Sequence, residues 1–135
     1  MDYQKLMIHR DSNNPFAKLL GIRTLEIKEG YAKGDLLLRS EHQNIVDSVH
    51  GGCIFALADT IGGSAASSHG MYVTTISGNI NYLSPALNIE RLIATAREIK
   101  YGKRISVYSI DIEDEKGSLL AQSTFSYFNM NKLIF

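Results

Sequence analysis

With 135 residues, 44% of them hydrophobic and 21% charged, the chain has material for one hydrophobic core and too little for two, so a single domain over residues 1–135 is expected. Fourteen Lys and Arg balance fourteen Asp and Glu, which leaves no net positive field to grip a phosphate backbone, and no stretch has the length and hydrophobicity of a membrane span; neither nucleic acid nor membrane is an expected partner. The N-terminus lacks the basic-then-apolar layout of a secretory signal and the lone Cys53 cannot close an internal disulfide, which points to a soluble protein of the reducing cytoplasm.

In chain order, the first predicted element is a short helix over Pro15–Leu20, with the proline tolerated in its first turn. Ile22–Lys28 and Tyr31–Arg39 follow as a pair of strands around Glu29 and Gly30. From Gly51 to Ala66 the pattern changes. Alanine, leucine and small residues replace period-two alternation, which predicts a helix that is apolar or small nearly all round and therefore buried, with a glycine stop in Ser67-Ser68-His69-Gly70. Beyond it, β-branched and aromatic residues alternate with polar ones. Val73–Leu83 sets Ile76, Gly78, Ile80 and Tyr82 on one face and Thr75, Ser77, Asn79 and Asn81 on the other, a half-buried strand ended by Ser84-Pro85. Ile89–Lys100, Arg104–Glu113 and Leu119–Asn129 complete the set, and the short polar connections around Gly102 and Gly117 favour antiparallel hairpins. The expected architecture is α+β, a sheet of about six strands wrapped on one long buried helix.

The chemistry concentrates on that helix. Asp59 stands in its middle, where an isolated ionised carboxylate is strongly unfavourable unless something pairs with it or water reaches it. Gly62 and Gly63, three and four positions on, share its face and leave space there for a substrate or for a second backbone packed closely. At the other end His50-Gly51-Gly52 opens the helix with unpaired amide donors suited to a developing oxyanion or a carbonyl oxygen. Gly51 and Asp59 are eight residues apart, about 12 Å along a helix that rises ~1.5 Å per residue. If both act on one bond they come from different copies of the chain, lying side by side and antiparallel, so an obligate oligomer with shared sites is expected.

Asn44, His50-Gly51-Gly52, Leu57-Ala58-Asp59-Thr60 and the strand end Asn81-Tyr82-Leu83-Ser84-Pro85-Ala86 together resemble the hotdog-fold acyl-CoA thioesterases of the phenylacetate-degradation (PaaI-type) family. The likeness runs from about Asn14 to near Phe128. It implies a curved antiparallel sheet around the long helix, dimers that join their sheets, tetramers built from two dimers, and neither metal nor prosthetic group. It further implies Asp59 as the catalytic carboxylate, the Gly51 amide as oxyanion donor, Asn44 as the side chain that helps place nucleophile or water, and His50 as a support for the thioester end, with Gly52 beside it against the substrate. The chain departs from the family at Asp47, often glycine there, and at Gly63, where related enzymes frequently carry Ser or Thr; Thr60 or Ser64 is the substitute for the contact that Gly63 lacks.

Thioester hydrolysis asks for little beyond a polarised carbonyl and an oxygen nucleophile, because a thiolate leaves readily. Two routes stay open for Asp59: direct attack to give a mixed anhydride, or deprotonation of a water placed with Asn44. Phe16, Phe55, Ile61 and Tyr82 offer apolar surroundings for an aryl or medium-chain acyl group. Lys100, Lys103 and Arg104, around Gly102, are the cations available to CoA phosphates. Cys53 reads as a buried filler, since no third group is visible to orient a Cys53–His50 pair. His9, His42, His50 and His69 show no metal-ligand spacing. A hotdog hydratase or dehydratase and a non-catalytic acyl-CoA or acyl-carrier binding protein are the alternatives, separated from a thioesterase by whether an acyl-CoA releases free thiol.

Overall fold

In the computed structural model, which describes residues 1–135, helices α1 (Tyr3–Ser12) and α2 (Pro15–Leu20) lead into strands β1 (Ile22–Lys28) and β2 (Tyr31–Leu37). The long helix α3 (Gly51–Ser67) follows, and then β3 (Met71–Tyr82), β4 (Arg91–Tyr101), β5 (Ile105–Asp114) and β6 (Leu119–Leu133). The six strands form one antiparallel sheet in the order β1-β2-β4-β5-β6-β3. Helix α3 touches all six, so the sheet curves around it as expected. Eleven of its 17 residues are buried, and Leu57, Ala58, Ile61 and Ala65 are wholly sealed within one cluster of 26 buried apolar residues. A helix that is apolar nearly all round has no water-facing stripe to offer and takes the middle of the fold.

Helix α1 was not anticipated from the sequence. It buries Leu6 alone, so it carries no apolar stripe that periodicity would detect. Polar contacts hold it instead. Asp2 caps the Lys5 amide at 3.0 Å, and the Asp11 carboxylate accepts the Thr24 amide at 3.1 Å and the Thr24 hydroxyl at 2.6 Å, pinning α1 to β1. Element ends also shift by a few residues: β2 stops at Leu37, β4 starts at Arg91 and β6 runs on to Leu133.

Strand β3 differs from expectation in a way that matters for the site. It is an edge strand, paired only with β6, and most of it is exposed on both faces in the single chain; Ile76 and Tyr82 are each 51% exposed. Its alternation is also broken. Thr75 pairs with Tyr127 and Ser77 with Ser126, so two steps on β3 match one on β6 and Ile76 is the extra residue of a β-bulge. A bulge shifts the period-two phase. Thr75, expected opposite Gly78 and Ile80, therefore joins the face that looks onto α3.

Candidate active site

The tip of α3 presents one free amide. His50 is the N-cap: its Nδ1 accepts the Gly52 N–H at 2.8 Å, and its carbonyl accepts the amides of Cys53 at 2.9 Å and Ile54 at 3.3 Å. Of the first four N–H groups of the helix, only that of Gly51 is left without an acceptor from its own chain, and the helix dipole adds to its pull on a negative oxygen. The Gly51 carbonyl accepts the Tyr82 hydroxyl at 2.7 Å, which ties the end of β3 to the helix tip. Between them lies a cleft of about 260 Å³ lined by Ser48, Val49, Gly51, Ile54, Tyr82 and Ala86 among others. A second cleft, of about 320 Å³, flanks the same tip on the α2 side, with Phe16, Leu20, His42, Gly52 and Cys53 in its walls. Burial pushes the Cys53 thiol up from its ordinary value, away from the thiolate a nucleophile needs.

Asn44 closes the turn that precedes the tip. Its Oδ1 accepts the amides of Val46 at 2.9 Å and Ser48 at 3.0 Å, and its Nδ2 donates to the Ser48 hydroxyl at 2.8 Å. Asp47 in this turn takes a left-handed φ of 58°, the conformation in which glycine is easiest. The side chain of Asn44 is thus engaged with its own loop, one wall of the cleft at Ser48.

Asp59 lies two turns along the helix, and both donors it receives go to one oxygen. The Thr75 hydroxyl donates to Oδ1 at 2.8 Å. The Tyr127 hydroxyl lies 2.9 Å from the Asp59 main-chain carbonyl and 3.2 Å from Oδ1. Thr75 and Tyr127 are cross-strand partners, so a single rung of the sheet supplies both. Oδ2 accepts from no group of the chain.

The space left by the two glycines is filled by this chain rather than by a substrate or a second backbone. A Cβ at Gly62 would lie 2.3 Å from the Tyr127 hydroxyl, and one at Gly63 would lie 3.0 Å from the Arg10 guanidinium. That guanidinium, brought by α1, donates to the Thr60 carbonyl at 3.0 Å, the Ser64 hydroxyl at 3.1 Å and the Ser67 hydroxyl at 3.4 Å. Ser64 is fully buried and in turn donates to the Thr60 carbonyl. Gly63 and Ser64 therefore face the chain's own arginine, whereas Thr60 keeps a partly exposed side chain. Ile61 is also sealed in the core, so it cannot touch an acyl group, while Phe16 and Tyr82 each line a cleft. Neither Arg10, Thr75 nor Tyr127 was picked from the sequence: α1 was missed, the bulge hid Thr75, and an inward tyrosine in a strand reads as core.

Lys103 and Arg104 sit in the β4–β5 connection and line a cavity of about 300 Å³ with Phe128, Asn129 and Asn131. Lys100, opposite Val107 in the ladder, does not line it. Register locates the group: Ile105 pairs with Phe128, which pairs with Thr74. Thr74 is eight residues from Tyr82 on β3, roughly 26 Å at ~3.3 Å per residue. These cations are therefore at the far end of the sheet from their own Gly51. The histidines are dispersed too: His9 bonds Tyr72, His42 spans Arg39 and Leu20, His50 caps α3 and His69 meets Glu98. No helix is long and apolar enough to cross a membrane.

A family model for the thioesterase superfamily matches residues 47–121, the stretch from the turn before α3 into β6. The chain belongs to that superfamily. Within it, a putative esterase of Archaeoglobus fulgidus is 34% identical over 120 residues, covering 89% of this chain and 78% of the relative. The acyl-coenzyme A thioesterase PaaI of Escherichia coli is 33% identical over 109 residues, covering 81% and 78%. The solved structure of the E. coli PaaI protein superposes with a TM-score of 0.87 at 28% identity, covering 96% of this chain and 99% of that one. The fold is thus the PaaI-type hotdog, and the chain is a thioester hydrolase.

Proposed function

We propose that the substrate is an acyl-CoA with an aryl or medium-length acyl group, and that each active site is assembled from two copies of the chain. One observation carries this reading: α3 is an uninterrupted helix, so its free Gly51 amide and its Asp59 carboxylate stand about 12 Å apart and cannot meet on one thioester within a chain. Two antiparallel α3 helices bring Asp59 of the partner subunit to Gly51. The edge of β3, long and uncovered, is the surface on which a second copy adds its own β3. The far-end placement of Lys103 and Arg104 fits the same arrangement, since the partner brings its cations, like its Asp59, toward this Gly51, where the nucleotide of the CoA would leave the cleft.

In this scheme the Gly51 N–H polarises the thioester carbonyl and receives the negative charge of the tetrahedral intermediate. Asp59 of the partner subunit supplies the nucleophile through its unengaged Oδ2. Either Oδ2 takes a proton from a water as the water oxygen bonds to the acyl carbon, or Oδ2 itself forms the bond and a mixed anhydride follows; in both cases the C–S bond breaks and CoA departs as thiolate. Single turnover in oxygen-18 water separates the routes, because only direct attack leaves label in the protein.

Subunit complementation tests the proposal. Gly51→Pro removes the free N–H at the first helical residue, where the backbone suits proline because His50 already has a φ of −59° and a ψ of 131°; the new Cβ would lie 3.2 Å from the exposed Tyr82 ring, which has to give by a few tenths of an ångström. Gly51→Pro and Asp59→Asn should each lose at least a hundredfold in thiol release. Refolded together at equal amounts they should recover about a quarter of the wild-type sites, because only mixed dimers hold one intact amide facing one intact carboxylate. No recovery from two folded, dimeric variants sinks the shared site.

A further inference from the structure

Tyr127 reaches Asp59 through the core. Its residue is 2% exposed, so the hydroxyl has no bulk water to turn to, and its one O–H spans the main-chain carbonyl and the carboxylate of the same residue, at 2.9 and 3.2 Å. The ring has little freedom to yield. Phe125 stacks on it with centroids 6.3 Å apart, Tyr108 meets it edge-on at 5.9 Å, and Tyr108 is itself anchored by a 2.9 Å hydrogen bond to Glu98. On the helix side room exists only because residue 62 has no side chain, since a Cβ there would stand 2.3 Å from the hydroxyl oxygen. A core that wanted only a packed aromatic would hold phenylalanine here without that gap.

Resting on the reading of Asp59 as the reacting carboxylate, we propose that Tyr127 is a positioning residue for the reaction: together with Thr75 it occupies Oδ1, locks the side chain of Asp59 to its own backbone, and leaves Oδ2 as the oxygen turned to the substrate. Burial and the neighbouring carboxylate hold the Tyr127 hydroxyl well above the ordinary tyrosine range, so it remains a proton donor at neutral pH. A carboxylate with one oxygen fixed and one free has a single reactive direction, and such preorganisation is worth most where the surroundings are dry.

Tyr127→Phe keeps the ring and removes only the oxygen. We expect kcat to fall about tenfold or more, with KM within about twofold of wild type. Gly62→Ala, which keeps the oxygen but drives it off, should reproduce the kcat loss. A Tyr127→Phe enzyme with wild-type kcat, whatever its melting temperature, overturns the proposal. Asp59→Asn in the same acyl-CoA assay separates the two levels: if that variant is dead while Tyr127→Phe is fully active, only the positioning role fails, and if it turns over normally, the role of Asp59 fails with it.

Discussion

Asp35 and Asp59 receive very different partners from the rest of the chain. Asp35 is fully buried on β2, held by both arms of Arg23 at 2.9 and 2.8 Å and by Arg91 at 2.6 Å. Burial alone would push its carboxyl up, but the hydrogen bonds and charges of the two guanidiniums outweigh that and leave it below the ordinary value of 3.8. Asp59 has only neutral donors, on one oxygen. A carboxylate neutralised by two cations is a structural tie, whereas one with a bare oxygen suits the reacting role proposed for Asp59. The pH consequence follows from the sign at Asp35. Its folded value is below its unfolded one, so its contribution to stability is complete above about pH 4 and is lost as pH falls through the folded value. Urea midpoints measured from pH 7 down to pH 3 should drop at the acid end, and Asp35→Asn should be less stable at pH 7 with a flatter acid fall; an unchanged acid fall in that variant counts against Asp35 as its source.

At the scale of elements, the start of α3 finds an acceptor for each of its first four amides except that of Gly51, the feature on which the proposed oxyanion site rests. His50 takes the Gly52 amide and so leaves the Gly51 amide alone facing the cleft. His50→Ala should cost about 1 kcal/mol of stability in thermal or urea unfolding, the ordinary loss for an N-cap, while His50→Asn, which retains a capping acceptor, should recover most of it. Equal destabilisation by both changes would assign the histidine to packing instead. The β4–β5 connection invites a different measurement: Lys103→Ala with Arg104→Ala should raise KM for an acyl-CoA several-fold and leave kcat within about twofold, since a phosphate held far from the reacting carbon contributes to binding alone. Elements were legible where their period was strong. The long helix and all the strands follow from composition and alternation, but α1 buries one side chain and has no period, and the Ile76 bulge turns Thr75 around without any local mark in the sequence beyond an ordinary run of β-branched residues.

For the whole molecule, the two edges of the sheet are unlike. The β1 edge is short and packed by α1, whereas β3 is 12 residues long and leaves Ile76 exposed at 51%. An uncovered edge of that length is a template for another strand. If the proposed dimer forms there, Ile76→Lys should dissociate it by sedimentation and abolish activity in parallel, and a monomeric variant with full activity would contradict the shared site. What could be read along the chain was whatever depends on neighbours in sequence: a buried helix from its small and apolar run, strands from alternation, and the eight-residue separation that keeps Gly51 and Asp59 apart. What could not be read was whatever depends on neighbours in space. Arg10 meets Thr60 across 50 residues and Tyr127 meets Asp59 across 68, contacts no periodicity encodes. The space beside Asp59 was visible in its two glycines, but only packing decided that an arginine and a tyrosine of the same chain fill it, because a glycine specifies that something comes close and leaves its identity to the fold.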